Sequence, residues 1–216
     1  MKNTYNILYS GGSGRIEEKK SVFIADVRPV HNDDEISAFM DETKKKYWDA
    51  SHHCYAYVLS GEPAPKKFSD AGEPSGTAGK PILDVIEGNG LHDIMIIVTR
   101  YFGGTLLGTG GLVRAYQAAA REGIADSVIT ERHDGILLRY TIDYDLYGKL
   151  RKMSENEPMY LLDPEFTDRI NLNIAVDKSD SENIIDKVEE LSAAKAELTD
   201  KQDISFIYIN GKVEIL

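Results

Sequence analysis

The sequence predicts an α+β protein of two domains, residues 1–135 and residues 136–216. Three observations predict this class. A length of 216 residues suits one large domain or two small ones. Strand-type and helix-type hydrophobic patterns alternate along the whole chain. Glycine is frequent up to Asp134-Gly135 and nearly vanishes afterwards, where the pattern becomes regular.

The first domain begins with strand-type alternation over residues 17–30, in which Phe23, Ala25 and Val27 share one face. Asn32 is a cap-type residue and predicts the start of a helix. The buried stripe of that helix consists of Ile36, Phe39, Met40, Thr43 and Tyr47.

The rest of the first domain alternates strands, glycine-rich segments and helices. The first helix is predicted from Pro81 at its start and Gly88 at its end, the second from the glycine-rich turn before it, and the last strand from an unbroken apolar block. In order, the predicted elements are a strand over His52–Leu59, a long loop over Gly61–Gly79, a helix over Ile82–Gly88, a strand over Ile94–Thr99 and a helix over Leu112–Ala125.

The second domain shows the order β-α-β-β-α-β, which is the ferredoxin-like arrangement. An Asn210-Gly211 pair after the last strand predicts a hairpin turn. The elements are predicted at Ile136–Asp143, Leu146–Asn156, Met159–Leu162, Thr167–Val176, Ser181–Ala193 and Ile204–Ile209.

Net charge and cysteine content argue against several classes of function. The chain carries 25 basic and 36 acidic side chains, a formal charge of −11. That charge argues against simple duplex binders and against adhesion to anionic membranes. The single cysteine, Cys54, excludes an internal disulfide and is interpreted as a buried strand residue, with a nucleophile beside His52 as the alternative. No apolar run reaches the roughly 18 residues of a membrane span, so a cytoplasmic protein is expected.

Common catalytic and cofactor motifs are missing from the sequence. Gly103 and Gly108 have the separation of a nucleotide-binding loop, but Thr109 stands where that loop needs lysine. Val113 stands where a dinucleotide-binding turn needs glycine. Zinc-hydrolase and serine-hydrolase motifs are also missing, so the sequence predicts no metal and no cofactor.

The segment Phe68–Pro81 concentrates hydroxyls, glycines and two carboxylates, Asp70 and Glu73. Successive backbone N–H groups in such a segment can form a concave site for an anion. The candidate ligand-binding residues here are Ser69, Ser75, Gly76 and Thr77.

A second segment, Thr99–Tyr116, runs from a buried strand through a glycine-rich turn into a helix, an arrangement that suits phosphate or carboxylate. The stretch Ile94–Arg121 has three arginines and no acidic residue. The alternative is that the glycines satisfy tight backbone geometry and the arginines pair with Asp70 and Glu73. The candidate binding residues are Arg100, Tyr101, Gly103, Gly104, Gly108, Gly110, Gly111 and Arg114.

Both segments, together with Ser21–Val30 and Trp48–Val58, resemble the YigZ/IMPACT family over nearly the whole chain. The resemblance implies a first domain like the fourth domain of elongation factor G, an α/β sandwich with a left-handed βαβ crossover. It implies a second domain like the fifth domain of that factor. Two positions depart from the family pattern: Ala71 replaces a second acidic residue and Thr105 an apolar one. The first departure weakens any role that needs two adjacent carboxylates.

The resemblance also implies a role in translation, because eukaryotic relatives regulate it. We therefore expect a non-enzymatic binding protein that engages RNA, a ribosome-associated component or another anionic ligand through a glycine-rich basic pocket. One alternative is an enzyme acting on a small phosphorylated or carboxylated metabolite, with Arg100 and Arg114 as the clamp and His52, Asp70 and Glu73 as catalytic candidates. A second alternative is a regulator that binds a protein partner.

Overall fold

Helices and strands alternate throughout the computed structural model, which describes residues 4–61 and 63–216. The predicted α+β class is confirmed. The chain divides into two units, Tyr5–Thr130 and Glu131–Leu216. The boundary predicted at residue 135 falls on the same strand as this division, because strand β8 runs from Val128 to Ile142. None of the described helices is both long and apolar enough to cross a bilayer.

The first unit is built on a five-stranded sheet of order β2-β3-β7-β4-β5, and the short strands β1 and β6 pair in parallel. Three helices complete the unit. The strands are β1 (Thr4–Ser10), β2 (Ser13–Glu18), β3 (Ser21–Pro29), β4 (His52–Val58), β5 (Lys66–Ser69), β6 (Leu91–His92) and β7 (Ile94–Tyr101), and the helices are α1 (Asp33–Lys46), α2 (Gly79–Gly88) and α3 (Thr109–Ala125).

Helix α1 begins where the sequence predicts. The side chain of Asn32 accepts a hydrogen bond from the Glu35 backbone N–H at 2.9 Å, and the Glu35 carboxylate accepts one from the His31 N–H at 2.8 Å. This reciprocal pattern satisfies two N–H groups at the helix start. Phe39 and Thr43 are buried on the face that the predicted stripe assigns to the core.

Strand β7 is the centre of the first unit, because its apolar side chains are buried on both faces. Ile94, Ile96 and Val98 belong to the core formed with α2 and α3, while Met95 and Ile97 pack with residues of α1 on the other face. The sheet therefore lies between two helical layers. This confirms the interpretation of the apolar block as a strand covered on both sides.

Four strands of the first unit differ from the sequence interpretation. The segment Gly61–Gly79 contains β5, which pairs antiparallel with β4, so the prediction of one continuous loop is wrong. β1, β6 and the start of β2 were not predicted either. All but one of the β5 side chains are exposed, so this edge strand lacks the apolar alternation that identifies strands.

The second unit has the sheet order β12-β8-β11-β9, with every pair antiparallel. This is the predicted ferredoxin-like arrangement. The predicted turn at Asn210-Gly211 joins the last two strands, and both residues have positive φ, 52° and 78°. The elements after β8 are α4 (Tyr144–Ser154), β9 (Met159–Leu161), β10 (Glu165–Phe166), β11 (Ile170–Asp177), α5 (Ser181–Ser192), β12 (Glu197–Ile209) and β13 (Lys212–Ile215).

Candidate functional site

A pocket of about 520 Å³ opens at the N-terminus of α3. Its polar residues include His52, Glu73 and Arg100, which come from three separate segments. Its apolar wall comes mainly from the loop between β7 and α3, and a cavity of this size is typical of ligand sites. The apolar lining residues include Phe102, Leu106, Leu107 and Leu112.

The start of α3 borders this pocket, which Gly108, Thr109 and Leu112 help to line. Gly108 is the N-cap residue, its φ of 71° favours glycine, and no side chain caps the helix. The first intrahelical hydrogen bond runs from Leu112 N–H to the Gly108 carbonyl. The N–H groups of Thr109, Gly110 and Gly111 therefore have no acceptor within the helix. With no acidic residue in the first turn, the positive end of the helix dipole is unopposed there.

The loop that leads into α3 is held close to β3. A β-carbon at Gly103 would lie 2.1 Å from the carbonyl carbon of Lys20, so only glycine fits this approach. The Gly103 N–H also donates to the Ser21 hydroxyl at 3.1 Å. This contact fixes one end of the loop, while Gly104 is exposed.

A buried ion pair forms the floor of the pocket. Arg100 Nη1 lies 2.6 Å from Glu73 Oε1, with side-chain exposures of 7% and 3%. The Tyr116 hydroxyl donates to the same oxygen at 2.8 Å. The guanidinium also lies over the rings of Phe23 and Phe102, at 5.3 and 5.5 Å from their centroids. Arg100 therefore fits the alternative interpretation of the sequence, in which the arginines pair with carboxylates. Its charge is paired with Glu73 and is not free for a ligand.

The carboxylate of Asp70 itself occupies the concave anion site that the sequence predicts in this segment. Its oxygens accept hydrogen bonds from the N–H groups of Gly76 at 2.8 Å and of Ala78 and Gly79 at 2.9 Å. Burial alone raises the pKa of Asp70, but the three backbone hydrogen bonds outweigh it and hold the pKa below its usual value. The carboxylate thus organises the turn that leads into α2.

The other candidates of the Phe68–Pro81 segment do not line the pocket at α3. The Thr77 hydroxyl is buried and donates to the Pro74 carbonyl at 2.6 Å, and the Ser69 hydroxyl accepts from the Ala71 N–H at 3.2 Å. Ser75 is exposed. Within this segment, Glu73 and Pro74 are the residues that the structure brings to the pocket.

His52 is the histidine that faces the pocket at α3. Its Nδ1 lies 2.9 Å from the Ala71 carbonyl oxygen, which can only accept a hydrogen bond, so Nδ1 is the donor. Its Nε2 lies 4.0 Å from Glu73 Oε1. His53 projects from the other face of β4 and contacts the Thr99 hydroxyl at 3.0 Å. Burial, together with the charges of Lys44 and His52, lowers the pKa of His53.

Cys54 does not have the properties of a nucleophile. Its Sγ is buried, 2.9 Å from the Asp70 carbonyl oxygen and 3.3 Å from the Tyr116 hydroxyl. Burial raises the pKa of the thiol to about 12, so the reactive thiolate is scarce at neutral pH. The interpretation of Cys54 as a buried strand residue is confirmed.

Tyr101, Gly110, Gly111 and Arg114, which the sequence also predicts, lie outside the lining of the pocket. Gly110 and Gly111 form the first turn of α3, and the exposed Arg114 follows one turn later, with a terminal nitrogen near Gly110. The Tyr101 hydroxyl donates to Asp49 at 2.9 Å and takes no part in the lining. Sequence reasoning missed Phe102 and Leu106. The signal for them in the sequence is the presence of large apolar side chains inside a glycine-rich loop.

Two family models and several bacterial relatives match this chain. The Impact N-terminal domain matches residues 19–124, and a domain of unknown function, DUF1949, matches residues 141–195. IMPACT family member YvyE of Bacillus subtilis is 32% identical over 198 residues, covering 92% of this chain and 91% of the relative. IMPACT family member YigZ of Escherichia coli is 39% identical over 134 residues, covering 61% of this chain and 64% of the relative.

One of two similar solved structures agrees with the fold over nearly the whole chain. The crystal structure of a hypothetical protein aligns with a TM-score of 0.59 at 27% identity, covering 92% of this chain and 97% of that chain. A two-domain translational regulator, Yih1, aligns over 55% of this chain and 48% of its own, with a TM-score of 0.39 at 20% identity. The TM-score of this second alignment is too low to carry an argument about function.

Proposed function

The chain belongs to the IMPACT family, and from that premise we propose that it is a non-enzymatic, translation-related binding protein that engages RNA phosphate at the N-terminus of α3. The family resemblance supports the link to translation, since eukaryotic relatives regulate it. A ribosome-associated RNA is the partner that this role implies, and the cytoplasm is the compartment in which it acts.

The observation that carries the proposal is the uncapped start of α3 in an acid-free stretch. Residues 94–121 contain three arginines and no acid, although the whole chain has a charge of −11. Among the described residues, Glu73 is the one acidic residue that lines the pocket, and Arg100 neutralises it. A phosphate at this helix start therefore meets free N–H groups and a positive dipole end, without a competing carboxylate.

The contacts of the two carboxylates favour binding over catalysis. Asp70 already accepts three backbone hydrogen bonds, and Glu73 already accepts from Arg100 and Tyr116. Neither carboxylate is placed to exchange protons with a ligand without giving up these partners. This arrangement suits a rigid wall better than an acid/base pair.

One observation supports an enzyme as the second candidate. His52 lines the pocket, with Nδ1 held at the Ala71 carbonyl and Nε2 lying 4.0 Å from Glu73 Oε1. A histidine in this position fits an enzyme acting on a small phosphorylated or carboxylated metabolite. Turnover that disappears in His52→Gln would favour this candidate over RNA binding.

Replacing Arg114 by alanine tests the proposed function. We expect the affinity for a single-stranded oligoribonucleotide of about 12 nucleotides to fall roughly fivefold near 0.1 M salt, with the slope of log K against log salt reduced by about 0.7. Each phosphate contact releases counterions, so losing one contact changes both quantities. Fluorescence anisotropy over a KCl series measures them.

Arg121→Ala is the matched control for Arg114→Ala. Both arginines are exposed on α3, but Arg121 lies about two turns further from the helix start. We expect little change in RNA affinity or in its salt dependence for Arg121→Ala. Equal losses in both variants would indicate a general charge effect, and no loss in Arg114→Ala would contradict the proposed site.

A further inference from the structure

The pocket at α3 has an apolar wall that a bound phosphate group alone would not contact. Phe102 is 50% exposed and Leu106 is 82% exposed, although both are large apolar residues. Leu107 packs beneath them against the core. A phosphate contacts the N–H groups of the helix start and leaves this wall exposed to water. The wall therefore indicates that the ligand has an apolar or aromatic part next to its anion.

Phe102 is held in a position that suits stacking. Its ring covers the Arg100 guanidinium, whose Cζ lies 5.5 Å from the ring centroid. That guanidinium is itself fixed by Glu73 and by the ring of Phe23. Half of Phe102 remains exposed, so its ring can contact a second planar group without rearrangement of the floor.

The buried guanidinium behind this ring also has an unsatisfied donor. Arg100 Nη1 and Nη2 are engaged by Glu73 and Ser21, whereas Nε, also buried, has no hydrogen-bond partner among the described residues. Arg100 lines the same pocket as the start of α3. Buried donors are rarely left unpaired, so the missing acceptor beside the pocket marks the hydrogen bonding of its floor as incomplete.

We propose that this pocket holds one unpaired nucleotide of an RNA strand. Its base stacks on Phe102 beside Leu106, and its phosphate accepts hydrogen bonds from the N–H groups of Thr109, Gly110 and Gly111. A cavity of about 520 Å³ suits a single nucleotide. A base inside a duplex would first have to leave its stack, so single strands are preferred. This inference rests on the proposed function and adds the class of ligand.

The test compares three probes of about 12 nucleotides: single-stranded RNA, an abasic strand of the same length, and the corresponding duplex. The full chain should bind single-stranded RNA most tightly, with the abasic strand and the duplex each at least tenfold weaker. Phe102→Ala should weaken binding of single-stranded RNA roughly tenfold and leave the abasic strand unchanged. Phe102→Tyr, which keeps the ring, should bind like the unaltered chain.

Phe68→Ala is the control variant, because Phe68 is 43% exposed on β5 and does not line this pocket. Its binding should be unchanged. Equal affinity for intact and abasic strands, or no effect of Phe102→Ala, would overturn base stacking and leave the phosphate site in place. Equal affinity for the duplex would overturn the preference for an unpaired nucleotide. Binding of none of the three probes would contradict the proposed function itself.

Discussion

Replacing Glu73 by alanine should lower the free energy of unfolding by about 3–5 kcal/mol, the largest loss of stability that we expect from a single substitution in the site. The change leaves the Arg100 guanidinium buried without its counter-charge and removes the acceptor of the Tyr116 hydroxyl. Breaking a buried pair from one side is costly because the remaining charge stays out of water. Urea-induced unfolding of the full chain measures the change.

Two comparisons show whether the buried charge is the cause. Asp84→Ala removes one member of the exposed pair between Lys80 and Asp84, and it should cost less than about 1 kcal/mol. Combining Glu73→Leu with Arg100→Met removes both charges and should recover most of the loss. A single Glu73→Ala variant as stable as the unaltered chain would contradict the structure of the pocket floor.

Replacing Asp70 by alanine should cost about 2 kcal/mol at neutral pH. The substitution leaves the N–H groups of Gly76, Ala78 and Gly79 without their shared acceptor at the turn into α2. Removing a carboxylate from a helix start costs about 0.5–2 kcal/mol, and three charge-assisted bonds place this site at the upper end. Thermal unfolding of the variant and of the unaltered chain gives the difference.

The stabilisation by Asp70 should depend on pH in a defined direction. The folded protein holds the pKa of Asp70 below that of the unfolded chain, near 3.9. Its contribution is therefore complete above about pH 4 and is lost as the pH falls through the lower, folded-state pKa. The difference in unfolding free energy between the unaltered chain and Asp70→Asn should shrink on acidification below pH 4. A difference that is constant down to about pH 2 would contradict this assignment.

Patterns within one element predict much of the fold. The unbroken apolar block at Ile94–Val98 identifies the central strand, because only a strand covered on both faces accepts such a run. Asn32 identifies the start of α1 through local hydrogen bonds that need no tertiary information. The edge strand β5 was missed because its exposed side chains show no alternation, and its pairing with β4 depends on the chain turning back.

The contacts of the site depend on the tertiary structure. Arg100 and Glu73 are 27 residues apart, and only the meeting of β7 with the loop before α2 makes them partners. Asp70 is a catalytic candidate in the alternative enzyme interpretation of the sequence, yet its side chain turns to three backbone N–H groups. Gly103, next to Phe102, approaches the backbone of Lys20 closely, and no local pattern encodes this tertiary contact.

The most direct test of the anion site at α3 is a titration of the isotope-labelled full chain with single-stranded RNA, followed by the amide resonances in NMR spectra. We expect the largest shifts at the N–H groups of Thr109, Gly110 and Gly111, and we expect inorganic phosphate to move the same resonances in the same direction. If RNA binds and these three resonances stay in place while others shift, the start of α3 is not the site of phosphate recognition.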